Sequence, residues 1–178
     1  QTMTKAAFRT LGTFAAATVI PFAASGQGLD AKLVQPSPTA TPASLGTDVD
    51  VDGNYLLAAS STGFGAFLFR KTASGWVEEH EFPVVAGAGS PHVAIQWPFV
   101  LIANSTAAET RIYEFDGQDW NVDSVMPTPG AASVDLFDGA NGVWAAVGQP
   151  DKRAVRVWEN VAGQWGAPAS IEAPLLNG

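Results

Sequence analysis

Three acidic side chains at alternate positions, Asp48, Asp50 and Asp52, run into Gly53 in the segment "DVDVDGNY". Carboxylates spaced this way ahead of a turn-permitting glycine begin many loops that hold calcium through oxygen ligands. The same letters also describe a strand with alternating faces that enters a tight turn. A twelve-residue calcium loop needs a bidentate acid at its last position, which is Ala59, and a nine-residue one ends on Leu56. Both are apolar, so the spacing predicts strand and turn, and no metal ligand is assigned. Calcium at Asp48, Asp50 and Asp52 is the competing expectation.

Other reactive groups are few. The chain has no cysteine, which excludes disulfides, thiolate nucleophiles and zinc–thiolate sites. Its two histidines are His80, in "VEEHEF", and His92, after Ser90-Pro91. Neither has the neighbours of a nucleophile–base pair, and two histidines without a carboxylate do not make a catalytic zinc site. Glu78, Glu79 and Glu81 are carboxylates of the type a glycosidase uses, but alternation puts Glu79 and Glu81 on one solvated strand face. The nearest approach to a sialidase-type Asp-box, "SVDLFDGANGVW", has Phe137 where the motif needs glycine. The residues therefore predict no catalytic, cofactor-binding or metal site, and a chain that is not an enzyme. Trp97 and Trp144 are the aromatics best suited to stack on a sugar ring.

A net charge of −8 with no run of Lys or Arg argues against nucleic acid and anionic membrane surfaces as partners. An apolar fraction of 47% is enough for a packed core. Met3, Lys5 and Arg9 precede an apolar stretch from Leu11 to Ala24; small residues at Ala23 and Ser25 suit a cut before Gly26, and Ala24 and Gly26 suit one before Gln27. Residues 1–26 read as a signal peptide, which implies a secreted, extracellular or periplasmic protein whose mature chain is not inserted in the membrane. Residues 27–45 then hold "LDAKLV" (29–34) and the Pro/Ser/Thr-rich linker "QPSPTATPAS" (35–44).

The elements that must position these groups come in three copies. "AFLFRKTASGW", "TRIYEFDGQDW" and "VRVWENVAGQW" end at Trp76, Trp120 and Trp165, which are 44 and 45 residues apart. Seven residues before each tryptophan is an aromatic (Phe69, Tyr113, Trp158), preceded by an aliphatic (Leu68, Ile112, Val157). Upstream, "VDVDGNYLLAAS", "VAIQWPFVLIAN" and "VDLFDGANGVWAAVG" match from Val49, Val93 and Val134, each three or four residues after a glycine (Gly46, Gly89, Gly130). In this alignment Val49 and Val51 belong to a core face, Asp50 points the other way, and Asp52-Gly53 is a turn matched by Asp138-Gly139. Each copy holds four short β-type runs, near 48–51, 55–59, 65–70 and 76–82 in the first. Those in the second are near 92–96, 99–103, 110–115 and 120–125, and those in the third near 133–137, 143–147, 154–159 and 165–171. Four strands per period of about 44 residues is the pattern of a propeller blade. The three tryptophans are expected to pack between blades.

The run Gly-x-x-Val-x-φ-Asp-Gly-x-x-φ-φ-x-Ala, then a φ-aromatic pair and Gly-x-Trp, resembles bacterial extracellular FG-GAP repeats, the blades of integrin-α-like propellers. The likeness spans about 46–174 and is strongest in "SLGTDVDVDGNYLLAAS…GAFLFRKTASGWVEEHEF". Leu45-Gly46, Ala88-Gly89 and Pro129-Gly130 stand where the naming Phe-Gly would be. The expected fold is all-β, an incomplete propeller of three four-stranded antiparallel blades at 46–88, 89–129 and 130–178. The resemblance implies a non-enzymatic binding or adhesion scaffold for an extracellular protein or glycan, an N-terminal piece of a longer propeller. The alternative is a lectin-like or carbohydrate-active extracellular propeller whose site lies in blades beyond this piece. Three blades leave open terminal faces, which predicts self-association.

Overall fold

The computed structural model describes residues 44–61, 65–83, 89, 91–104 and 106–174 of the chain. The signal segment 1–26, "LDAKLV" and all of the linker but Ser44 lie outside the described residues. Apolar and β-branched runs broken by Gly-bearing turns become three antiparallel sheets. The first contains β1 (Leu45–Asp52), β2 (Tyr55–Ser60), β3 (Ala66–Thr72) and β4 (Gly75–Phe82), ordered as in sequence. The second repeats that order with β5 (His92–Gln96), β6 (Phe99–Asn104), β7 (Glu109–Phe115) and β8 (Trp120–Pro127). The third has β9 (Ser133–Asp138), β10 (Val143–Gln149) and β11 (Ala154–Val161), with two short strands, β12 (Gln164–Trp165) and β13 (Ala169–Glu172), both paired to β11. The run expected at 165–171 is thus split. Pro168 has no N–H to give a ladder, and the Gly166 N–H turns to the Glu159 carbonyl at 2.9 Å.

Turn chemistry fixes the registers. Gly53, at φ +55°, opens a two-residue turn that sets Asp52 opposite Tyr55. The matching turn of the third sheet is longer: Asp138 lies opposite Val143, so Asp138-Gly139 starts a four-residue loop.

Neighbouring sheets pack face to face. We call the side of a sheet toward the preceding one its N-side and the other its C-side. In the first seam, Leu57, Ala59, Ala66, Leu68 and Phe82 on the C-side of sheet 1 meet Val93, Ile95, Val100 and Tyr113 on the N-side of sheet 2. In the second, Leu101, Ile112 and Met126 meet Leu136, Val147 and Trp158. Leu68 and Ile112 are both fully buried, each side chain contributing about 1.5–3 kcal/mol of hydrophobic stabilisation. The aliphatic–aromatic pair has a constant role: the aliphatic faces the C-side and the aromatic the N-side. Trp120 and Trp165 pack against the first and second seam clusters, and Trp76 against a third cluster, Ala58, Phe67 and Phe69, on the N-side of sheet 1.

Two face assignments change. Val49 and Val51 hold the register of the buried Val93 and Ile95, yet both are more than half exposed on the edge strand β1, while Ala58, Phe67 and Phe69 on the same side of the sheet are buried. Glu79 and Glu81 do not share a face. Phe69 pairs with Glu78 and Leu68 with His80, so Glu79 is the extra residue of a β-bulge and alternation flips there. Glu78 and Glu81 end on the same side.

Candidate functional site

The acids of "DVDVDG" sit on β1, whose inner edge runs beside β5 of the next sheet. Asp48 Oδ2 accepts the Val93 N–H at 3.1 Å, Asp50 Oδ2 accepts the Ile95 N–H at 2.8 Å, and Asp52 Oδ2 accepts the Trp97 N–H at 2.7 Å. The second oxygens of Asp48 and Asp50 take the N–H of Val49 and Val51 on their own strand, at 3.0 and 2.8 Å. A period of two matches acids at i, i+2 and i+4 to the free N–H groups of the neighbouring strand, so three carboxylates clip one sheet edge to the next. Oxygens aimed at N–H donors are turned away from a common metal centre. Among the described residues no group of three or more His, Asp or Glu side chains is disposed to hold a metal ion. Gln96 extends the line, its amide 3.5 Å from Asp52 Oδ2 and 3.2 Å from Asp138 Oδ2.

At the outer side of each seam lies a polar notch. The first, of about 310 Å³, is lined by Glu79 and His80 of sheet 1 and by Phe115, Gln118, Asp119 and Trp120 of sheet 2. The second, of about 340 Å³, is lined by Asp123 and Ser124 of sheet 2 and by Gly163, Gln164 and Trp165 of sheet 3. The two are built alike. Glu79 and Asp123 are both bulge residues, since Tyr113 pairs with Val122 and Ile112 with Ser124. His80 and Ser124 follow them, and the repeat tryptophan closes the other wall. In the second notch the Trp165 indole N–H donates to Asp123 Oδ2 at 2.6 Å, whereas Glu79 is paired with Arg70. A carboxylate beside an indole can bind hydroxyl groups and the apolar face of a ring together.

Local electrostatics follow from this packing. His80 lies half-buried against Phe82 (ring centroids 4.6 Å apart) and Trp120 (6.3 Å), not on an open polar face. Burial holds its imidazole below the ordinary histidine range, against the opposing pull of Asp119 and Glu81. Burial first, then Glu81, pushes the Glu78 carboxyl up. Asp116 anchors the turn that carries Gln118 and Asp119; their N–H groups each donate to its Oδ1 at 2.8 Å and hold its carboxyl below the usual range. His92 stands at the start of β5 with Nδ1 3.4 Å from Asp48 Oδ2.

The aromatics expected at the rim are partly committed. Trp97 stacks on Tyr55 with centroids 4.2 Å apart and planes 7° from parallel, so one ring face is taken. Trp144 lies beside Phe137 at 6.2 Å and 11°. The residues brought together at the notches are instead the repeat tryptophans Trp120 and Trp165, which serve core and surface at once. Their matched positions were readable in the sequence. The bulges that turn Glu79 and Asp123 toward them were not.

No family model, curated protein or solved structure matches the chain. No helix among the described residues is long and apolar enough to cross a membrane.

Proposed function

We propose that this chain is a secreted, non-enzymatic β-propeller segment of the FG-GAP kind that acts as a binding or adhesion scaffold. One observation carries the reading. Three antiparallel sheets of the same strand order stack in one repeating register, with an aromatic and a tryptophan seven places on turned to the same side of each sheet, which in the second and third faces the preceding one. Such stacking fixes loops and seam rims in a rigid frame, which suits recognition of a macromolecular surface. Secretion rests on the N-terminal sequence pattern alone, and N-terminal sequencing of exported protein tests it by cleavage before Gly26 or Gln27.

The two matched notches favour one more specific reading, a lectin-like scaffold that takes a sugar unit at each seam. Labelled chain applied to a glycan array and to purified extracellular-matrix proteins separates the two. Saturable binding to glycans that Trp120→Ala weakens supports the lectin-like form, and binding to proteins alone supports the adhesion form. Retention on neither surface, or turnover of any glycan probe, overturns the proposal.

A further inference from the structure

The two seam notches are built alike but differ in what stands beside the bulge carboxylate. In the first, Glu79 is paired with the guanidinium of Arg70, the residue that follows Phe69 on β3. A planar fork of donors on a carboxylate is a strong, charge-assisted contact, and here the chain supplies it from its own next strand. In the repeat register Tyr113 takes the place of Phe69, so Glu114 takes that of Arg70 and Asp123 that of Glu79. The second notch therefore sets a further carboxylate where the first has a cation. Burial first, then the charges of Asp123 and Asp116, push the Glu114 carboxyl up, so acids crowd one another at this place. Arg156, on the facing side of sheet 3, is bonded instead to the Pro127 carbonyl at 3.2 Å.

The indole wall shows the same contrast. In the first sheet Lys71 stands opposite Trp76 across the ladder, and its ammonium lies 5.7 Å from the centre of the Trp76 ring. In the third sheet the residue opposite Trp165 is Asn160, which brings no charge to the ring. The Trp165 N–H takes one Asp123 oxygen, and the rest of the notch, about 340 Å³, is lined by Ser124, Gly163 and Gln164. In sheet 1 both the bulge carboxylate and the repeat indole thus receive a cation from the chain itself. At the second notch the same two groups meet each other and a second acid.

We propose that the notch of the second seam is a receptor for an arginine side chain on a basic segment of a partner protein, its guanidinium paired with Asp123 and Glu114 and its flat face against Trp165. The inference rests on the reading of the chain as a binding scaffold and names the chemistry of its partner. Two acids beside an indole suit an organic cation, and among the described residues no group of three His, Asp or Glu is disposed to hold a metal ion. Arg70 on Glu79 shows that a guanidinium fits the equivalent carboxylate, which favours arginine over an amino sugar. A net charge of −8 draws a basic segment toward this surface.

Titration of N-acetylarginine amide into the isotope-labelled whole chain, followed through the indole N–H resonances, tests it. The Trp165 resonance should move saturably, because its N–H is bonded to Asp123, and the neutral isostere N-acetylcitrulline amide should leave it in place. Asp123→Asn keeps an oxygen for the indole, and it and Glu114→Gln should each weaken binding on the order of 10-fold, with the other indole resonances unmoved as the check on folding. Arg70→Gln frees Glu79, so the Trp120 resonance of the first notch should then respond as well. A Trp165 resonance that does not shift, an equal response to the citrulline probe, or binding that survives in both acid variants overturns the proposal. So does a Trp120 that stays silent in Arg70→Gln. Glucosamine oligomers that shift Trp165 where the arginine probe does not overturn it in favour of a sugar at the notch. Retention of the chain on matrix proteins without any arginine response removes this inference and leaves the scaffold reading standing.

Discussion

The two seams share an apolar design and differ in their polar fastening. In the first, Leu57, Leu68 and Phe82 receive Val93 and Ile95, and carboxylates at residues 48, 50 and 52 clip the inner edge. In the second, Leu101, Ile112 and Met126 receive Leu136 and Val147, but the matching inner positions hold His92, Ala94 and Gln96. The described side-chain bonds across that seam lie mostly away from the inner edge. Trp165 donates to Asp123, and Arg156 Nη1 donates to the Pro127 carbonyl at 3.2 Å. The hydrophobic register is thus the constant of the fold, and the polar clip moves along the interface. Area removed from water scales with how many side chains meet and tolerates substitution, while a hydrogen bond needs one donor and one acceptor at one place.

The comparison can be broken most severely through the shared part. Phe82→Ala empties a fully buried position of the first seam and should cost about 3–5 kcal/mol, read as a lower urea midpoint. Leu101→Ala in the second seam should cost about 2–5 kcal/mol, so the two losses should be of similar size. Next comes the clip. Asp50→Ala removes an acceptor from both Ile95 and Val51 and should cost about 1–3 kcal/mol, with Asp50→Asn milder because its amide oxygen still accepts. If Asp50→Ala leaves the midpoint unchanged, the acids decorate the first seam and do not hold it.

Acid should act on the first seam through His80. Its folded-state pKa is lowered by burial, so the unfolded chain binds the proton more readily. Stability is then full above the unfolded pKa of about 6.5 and falls as pH drops toward the folded value. His80→Ser, which copies Ser124 of the second seam, should flatten that limb of a stability–pH curve. Glu78 has the opposite sign: its raised pKa means stability present at low pH and lost as pH rises through the folded value, so Glu78→Gln should raise the neutral-pH midpoint slightly. Trp165→Phe keeps one aromatic ring against the second seam and removes the pyrrole N–H that bonds Asp123. It should cost about 0.5–1.5 kcal/mol in a midpoint measurement.

Strand content, the division into three units and the equivalence of Phe69, Tyr113 and Trp158 were legible because each rests on local pattern repeated three times. The faces of β1 were misjudged for a physical reason. Alternation tells which side chains go together, but whether Val49 is buried depends on what stands against it. The carboxylate clip was hidden likewise, since the N–H groups it serves come from a strand 45 residues away. The bulges at Glu79 and Asp123 left no glycine or proline to mark them, and they turn the acids toward the tryptophans. The split between β12 and β13 had such a mark, in Gly166-Ala167-Pro168.

The aromatic group around Trp97 has a spectroscopic consequence. Tyr55 of the first sheet stacks on Trp97 of the second, and Trp97 lies 5.7 Å from Trp120 with the planes nearly perpendicular. Transition dipoles that close couple strongly, so this group should contribute strongly to the near-ultraviolet dichroism. The Tyr55–Trp97 stack is the part of that signal that joins sheets 1 and 2, so Tyr55→Leu should remove it and leave the Trp97–Trp120 part, which lies within sheet 2.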